Sequence, residues 1–377
     1  MVRYKLTQNC DIEYGQQMQR SIPEAVMKRL LLLAVLWIAT SAVNGWPQSA
    51  PPKTAADLAK YMGADRERVL YEGAKKEGKF VWYTSLTIYK EMAKAFEAKY
   101  PGVVVEPYRA TAVNLVSRVL SEAQSKRYIV DVIETTPGSL MLVRDNKLLL
   151  PYNSPHFAAY PEGSKDKAPG GLFYTGVDRE SYAGIGYNKN AIPAADVPKN
   201  FDDLLKPSLK GKIGISNEEI ATRVVGAMLK EKGEGFIKKL AAQDIRQYGL
   251  PALGMNELIV SGEVPLSFTA VDSNVRMAAA RGAPVAWLPG DLVPANAGSL
   301  GAFLHPPHPH AALLFIDFMI GPEGQKLFSE KYGYGSPRKD LGFKRWYPEQ
   351  GLSSYEYANT IERWNKVLLQ ISRKQNF

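Results

Sequence analysis

The feature that most constrains the fold of this chain is a repeated unit in which a short strand-like run ends in a turn and passes directly into a helical stretch. Lys79-Phe80-Val81-Trp82-Tyr83-Thr84 is aromatic and β-branched, and Ser85-Leu86-Thr87 leads from it into a helical pattern from Tyr89 to Tyr100, closed by Pro101. The unit recurs as a strand over 103–108 with a helix over 112–125, and again over 128–133 with 138–145. Strands alternating with helices of roughly 10–15 residues imply a mostly parallel sheet covered on both faces. An amphipathic helix over 54–76, built on Leu58, Tyr61, Val69, Leu70 and Ala74, is predicted to precede the first unit.

A second set follows the segment over 181–187. Strands are predicted over 212–215, 265–269 and 284–288, with helices over 222–232, 235–242 and 273–280 and another starting over 255–260. A loop over 289–298 then leads to a short apolar segment over 300–304, a helix over 310–332 and a last helix over 355–372. No repeat of solenoid period and no low-complexity segment is visible.

The N-terminal region fixes a compartment. Met27-Lys28-Arg29, the apolar run from Leu30 to Ala39 and the small residues up to Gly45 have the order of a secretory signal peptide. The run is far short of the roughly 20 residues needed to span a bilayer. The expectation is therefore a signal peptide over 27–45 and a periplasmic mature protein, with Met27 as the start and residues 1–26 as a start-site artefact. Beyond residue 45 the 47 basic and 38 acidic residues become 42 and 35, a net +7 on a length that usually makes two domains. The single cysteine, Cys10, lies upstream of the mature part, so a bacterial envelope and a core that needs no disulfide are implied. The positive charge is spread as doublets such as Lys75-Lys76 and Lys238-Lys239, which reads as solvated surface and not as a nucleic-acid patch.

In its motifs the chain resembles the extracellular solute-binding proteins of ABC importers, in the two-lobed (type II) group that includes ferric-binding periplasmic proteins. The residues carrying this are Tyr71-Glu72-Gly73-Ala74-Lys75-Lys76-Glu77-Gly78 before Val81-Trp82-Tyr83-Thr84-Ser85, and Asp131-Val132-Ile133 with Leu148-Leu149-Leu150-Pro151-Tyr152. Further on come Gly186-Tyr187-Asn188, Phe201-Asp202-Asp203-Leu204-Leu205, Leu209-Lys210-Gly211-Lys212-Ile213, His308-Pro309-His310-Ala311-Ala312, Phe315-Ile316-Asp317-Phe318 and Pro322-Glu323-Gly324-Gln325. The resemblance implies an α/β fold of two lobes, each a mostly parallel sheet flanked by helices, joined by crossing hinge strands. One lobe is expected over 54–178 with a return over 298–340, the other over 189–290, with a helical tail over 341–377. It also implies capture of a small solute by hinge closure and delivery to a membrane permease, by a monomer without cofactor or nucleic-acid partner.

Ligands of open α/β sheets bind beyond the carboxyl ends of strands, where helix N-termini leave N–H groups free. That rule selects Ser85, Thr87, Arg109, Thr135 and Thr136 in the first lobe and Thr222, Asp272 and Asn274 in the second as ligand-binding candidates. Each has a plainer reading, since Ser, Thr and Asp are common helix caps and Arg109 a common surface residue. Ferric-binding relatives carry a tyrosine pair where this chain reads Thr269-Ala270-Val271-Asp272-Ser273-Asn274, and Ser181-Tyr182-Ala183 lacks the arginines expected at the hinge. Both departures favour a small organic solute with hydroxyl or carboxylate groups over iron(III) or another metal.

His305-Pro306-Pro307-His308-Pro309-His310 holds three imidazoles, but its prolines limit their convergence and no carboxylate lies within it, so no metal site is assigned. There is no Gly-x-Ser-x-Gly elbow, phosphate loop or His-Glu-x-x-His pair, and no catalytic residue is assigned. A secreted hydrolase with two dispersed carboxylates is the remaining alternative to a binding protein.

Overall fold

The computed structural model describes residues 54–339 and 342–374, all within one compact unit that spans 52–377. The start-site and signal-peptide expectations over 1–45 lie outside the described residues.

The leading helix is two helices, α1 (Ala55–Lys60) and α2 (Arg66–Glu77). Thr54 and Asp57 form a capping box at the start of α1, and α2 ends at Gly78, whose φ of 74° suits glycine. Between the helices the buried Arg66 guanidinium donates to the carbonyls of Leu58 and Tyr61, satisfying groups that the break exposes.

The predicted units follow as β1 (Lys79–Thr84), α3 (Tyr89–Lys99), β2 (Val104–Arg109), α4 (Ala112–Gln124), β3 (Val132–Thr135) and α5 (Pro137–Asp145). A hairpin of β4 (Lys165–Ala168) and the 17-residue β5 (Leu172–Asn188) comes next. Then come β6 (Gly214–Ser216), α6 (Glu219–Leu240), β7 (Ile245–Tyr248), α7 (Ala252–Ser261), β8 (Leu266–Val271), α8 (Asp272–Ala280), β9 (Val285–Leu288) and β10 (Val293–Ala302). The chain ends in α9 (Pro309–Ile320), α10 (Pro322–Lys326), β11 (Arg345–Trp346), α11 (Ser354–Ile371) and β12 (Ser372–Lys374).

In the first half β2, β1 and β3 run parallel, and β10 joins them antiparallel beside β5 and β4. Strand β5 then leaves this set. Up to Tyr182 it pairs with β10, and from Ala183 onward it pairs with β8 and β9. Strands β12, β7 and β6 form a second, parallel sheet, linked to β8 by a bridge between Ile213 and Leu266. Thus β5 and β10 are the crossing strands, and each half has its own core. Phe80, Trp82, Phe96 and Phe315 anchor one; Ile185, Phe201, Val225, Leu266 and Phe268 anchor the other.

Two further expectations need correction, and one strand was missed. The region read as a loop over 289–298 belongs largely to β10, because pairing with β5 on one edge overrides the low strand preference of Ala295-Asn296-Ala297-Gly298. The helix expected over 310–332 breaks at Gly321-Pro322, where proline cannot continue an α-helix. Strand β7 was not anticipated: Ile245-Arg246-Gln247-Tyr248 is short, and its partners β6 and β12 are far away in sequence. By contrast, the interruption expected between 232 and 235 is present inside α6 at Gly233, whose φ is 73°.

Candidate solute-binding cleft

At the carboxyl end of β8 the chain turns directly into α8, so the first N–H groups of that helix have no side-chain cap. Beside them runs the crossover of β5 and β10. Ser181, Tyr182 and Asn296 from the crossing strands, Ser273, Asn274, Arg276 and Met277 from α8, and the stretch from Ser329 to Lys339 enclose a cavity of about 640 Å³. That is a volume suited to a small organic solute. The wall is mixed, with Arg276 and Lys339 as its cations and Met277, Tyr332 and Tyr334 among its apolar and aromatic residues.

The stretch after α10 reaches the crossover through backbone pairing. Gly335 donates to the Glu180 carbonyl at 2.6 Å and accepts from the Glu180 N–H at 3.0 Å. A side chain at 335 would collide with the Tyr182 ring, so this approach requires glycine. Tyr332 and Tyr334 are thereby brought to the cavity.

Asp272 does not offer a free carboxylate. It is buried, its Oδ1 accepts from the Tyr182 N–H at 3.1 Å, and its Oδ2 meets Arg276 at 2.7 Å. Burial raises its pKa, and Arg276 opposes the rise. The residue ties α8 to the crossing strand and holds Arg276, whose side chain remains 64% exposed.

The candidates of the first half share one corner, because the register sets Thr84 opposite both Arg109 and Glu134. Ser85 is half-buried and donates its N–H to the Glu134 carbonyl at 3.1 Å, while Thr87 and Arg109 are exposed. The Arg109 Nε donates to the Leu86 carbonyl at 3.2 Å. Thr135 is buried with its hydroxyl unpartnered, and the Thr136 hydroxyl donates to Ser139 at 3.1 Å. In the second half Thr222 lies buried in the first turns of α6. Of the eight candidates, Asn274 lines the 640 Å³ cavity. Ser85, Thr87 and Arg109 gather at a separate rim, and the burial of Thr135 and Thr222 takes them out of solvent contact.

Sequence reasoning missed the link between rim and cavity. Glu134, fully buried, accepts from Thr84 Oγ1 and the Leu86 N–H on one oxygen and from Arg179 on the other. The Arg179 guanidinium lies 5.8 Å from the centre of the Tyr334 ring. Arg179 also meets Asp178 at 3.2 Å, and burial, with Glu134 nearby and Arg179 opposing, pushes Asp178 up to about 7. The hinge thus does hold an arginine, two positions before the triplet where one was sought. Its signal was the run Asp178-Arg179-Glu180, three consecutive charges inside a strand.

The three histidines of the proline-rich run diverge. His308 meets Asp131 at 2.9 Å, His310 meets Glu77 at 2.7 Å, and the His305 ring sits edge-on to Tyr128 at 5.1 Å. Glu77 also accepts from the N–H of Ala311 at 2.8 Å, so the carboxylate covers the exposed amides at the start of α9. Among the described residues, no cluster of three or more His, Cys, Asp or Glu side chains is placed to hold a metal ion.

Two other cavities are less suited to a solute. One of about 40 Å³, between α5 and Tyr347-Pro348-Glu349-Gln350, has room only for water. Another, of about 440 Å³, lies within the first half beside the Arg66–Asp317 ion pair. Arg66 Nη2 and Asp317 Oδ1 there lack hydrogen-bond partners. Neither cavity is lined by the crossing strands on both sides of the hinge.

Among the described residues no helix is long and apolar enough to cross a membrane. No curated protein sequence matches the chain. Solved structures do. The substrate-binding protein of an ABC transporter from Agrobacterium tumefaciens is 15% identical, with a TM-score of 0.58 over 78% of this chain and 96% of that one. Iron-bound HitA from Pseudomonas aeruginosa is 21% identical, with a TM-score of 0.59 over 77% of this chain and 99% of that one. The periplasmic binding protein AfuA from Actinobacillus pleuropneumoniae, solved with exogenous fructose-6-phosphate, is 21% identical, with a TM-score of 0.56 over 78% of this chain and 99% of that one. These likenesses show the two-lobed fold of periplasmic binding proteins. The sequence profile of bacterial extracellular solute-binding proteins matches residues 91–349, most of the chain, and the protein therefore belongs to that family.

Proposed function

We propose that this protein is the periplasmic substrate-binding component of an ABC importer, a monomer that closes two lobes around a small anionic solute and presents it to a membrane permease. The moving bodies are 54–178 with 298–340 on one side and 189–290 on the other. The observation that carries the reading is the 640 Å³ cavity against the crossing strands, with Arg276, Lys339 and the uncapped start of α8 in its wall. Cations beside a helix N-terminus together favour a carboxylate or phosphate. Asn274 is the direct contact in this reading, Asp272 positions Arg276, and Ser85, Thr87 and Arg109 meet the solute as the lobes close.

Iron(III) is the second reading, since iron-bound HitA is among the similar structures and Tyr332 and Tyr334 line the cavity. Against it, Asp272 and Ser273 stand where ferric-binding relatives carry their tyrosine pair, and Asp272 is already engaged on both oxygens. Mass spectrometry of co-purifying molecules, followed by thermal-shift titration with carboxylates, sugar phosphates, phosphonates and metals, tests the proposal. A solute at 100 times its Kd adds about 2.7 kcal/mol of stability. Stabilisation by an anionic organic solute supports the reading. A tyrosinate-to-iron absorption band on ferric loading, or turnover of a panel substrate, overturns it.

A further inference from the structure

We infer that the C-terminal segment 342–374 is a strap that joins the two lobes, with its helix α11 on the face opposite the cavity, and restrains their opening. The positions of the two faces follow from topology. The step β6–α6–β7 moves away from β8, and the step β8–α8–β9 moves past β5 in the other direction. Right-handed crossovers then set α6 and α8 on opposite faces of the sheet. The cavity is lined by α8, whereas α11 of the strap packs on α6.

The strap holds residues of both lobes. In the first, Arg144 donates to the Leu352 carbonyl at 2.7 Å, the Ser354 N–H donates to Asp145 at 2.7 Å, and the Tyr357 ring rests on Gly138 at the start of α5. At the crossover, Arg345 meets Glu180 at 3.0 Å, and the Tyr347 hydroxyl donates to the same buried carboxylate. In the second, Glu349 meets Arg223 at 2.6 Å, the Tyr357 hydroxyl donates to Glu219 at 3.0 Å, and Trp364 covers Gly226. Beyond Trp364, Leu368 and Ile371 enter the second core and β12 extends its sheet beside β7.

Tyr357 therefore touches the N-terminal turns of α5 and α6 at once, one in each lobe. Moving those turns apart breaks a buried ion pair and its hydrogen bonds, so the strap is a third connection beside β5 and β10. Opening is directed to the cavity face, and the strap sets its amplitude. The consequence for solute binding rests on the proposed lobe closure, but the restraint itself is measurable without solute.

The test is pulsed electron spin resonance between labels at Glu91→Cys and Glu257→Cys in solute-free protein, with and without the pair Glu349→Gln and Tyr357→Phe. The expected result is a distance distribution that broadens and gains a longer component in the double variant. An unchanged distribution in a folded double variant overturns the inference. If the double variant does not fold, hydrogen exchange of the label-free wild type decides. Amides of α11 that exchange only with global unfolding support the strap, and a tail that opens as a separate unit overturns it.

Discussion

The two faces of the crossover use charge in opposite ways. On the strap face Arg223 and Glu349 are 4% and 6% exposed and pair at 2.6 Å. On the cavity face Arg276, paired with Asp272, is 64% exposed and can still accept an anion. The difference teaches that a cation's sequence neighbourhood says little about its task. Arg223 and Arg276 both lie near the start of a helix that follows a strand, and only what covers each helix start separates them.

Breaking the closed face should give the largest effect. Arg223→Ala leaves Glu349 buried without its cation, and should lower stability by about 3–5 kcal/mol in denaturant unfolding. A small loss would mean that the strap is loosely held. Arg276→Ala should show the reverse emphasis, with a smaller loss of stability than Arg223→Ala, because Arg276 itself is 64% exposed although its partner Asp272 is buried, and with affinity for an identified anionic solute reduced roughly 10- to 150-fold by calorimetry. Unchanged affinity would remove Arg276 from the site.

The crossover between the faces gives a pH signature. Burial raises Asp178 above its unfolded value, so its protonated form is favoured in the fold. Its contribution to stability is fully present below the unfolded pKa near 4 and is lost as pH rises through about 7. Relative to Asp178→Asn, the wild type should lose stability across that window with a slope of at most ~1.4 kcal/mol per pH unit. A parallel pH profile for the two proteins would remove the effect. The smallest change is expected at the start of the strap's helix, where Ser353 and Glu356 form the capping box of α11. Ser353→Ala should cost about 1 kcal/mol in thermal unfolding, and a larger loss would mean that the cap also holds the lobes.

Much of the fold was legible because it is written locally. The run Lys79-Phe80-Val81-Trp82-Tyr83-Thr84 matches β1 residue for residue, and its following turn and helix are set by side-chain period and by Pro101. Strand β10 was missed over its first half because Ala295-Asn296-Ala297-Gly298 has no strand pattern of its own and is extended by its partner β5. The site divides in the same way. Asn274 was legible as a residue just past a strand end, whereas Tyr332, Tyr334 and Lys339 reach the cavity only through the pairing of Gly335 with Glu180.

The sequence by itself determined the alternation of strands and helices, the breaks at Gly78 and Gly233, and the family. Those rest on backbone conformation and side-chain period, which neighbours along the chain control. Only the tertiary structure decided that Asp272 is a tie and not a free ligand, that the histidines diverge to Asp131, Glu77 and Tyr128, and that the tail closes one face of the crossover. Each of those outcomes depends on which distant group arrives within hydrogen-bonding reach, and local pattern carries no record of that arrival.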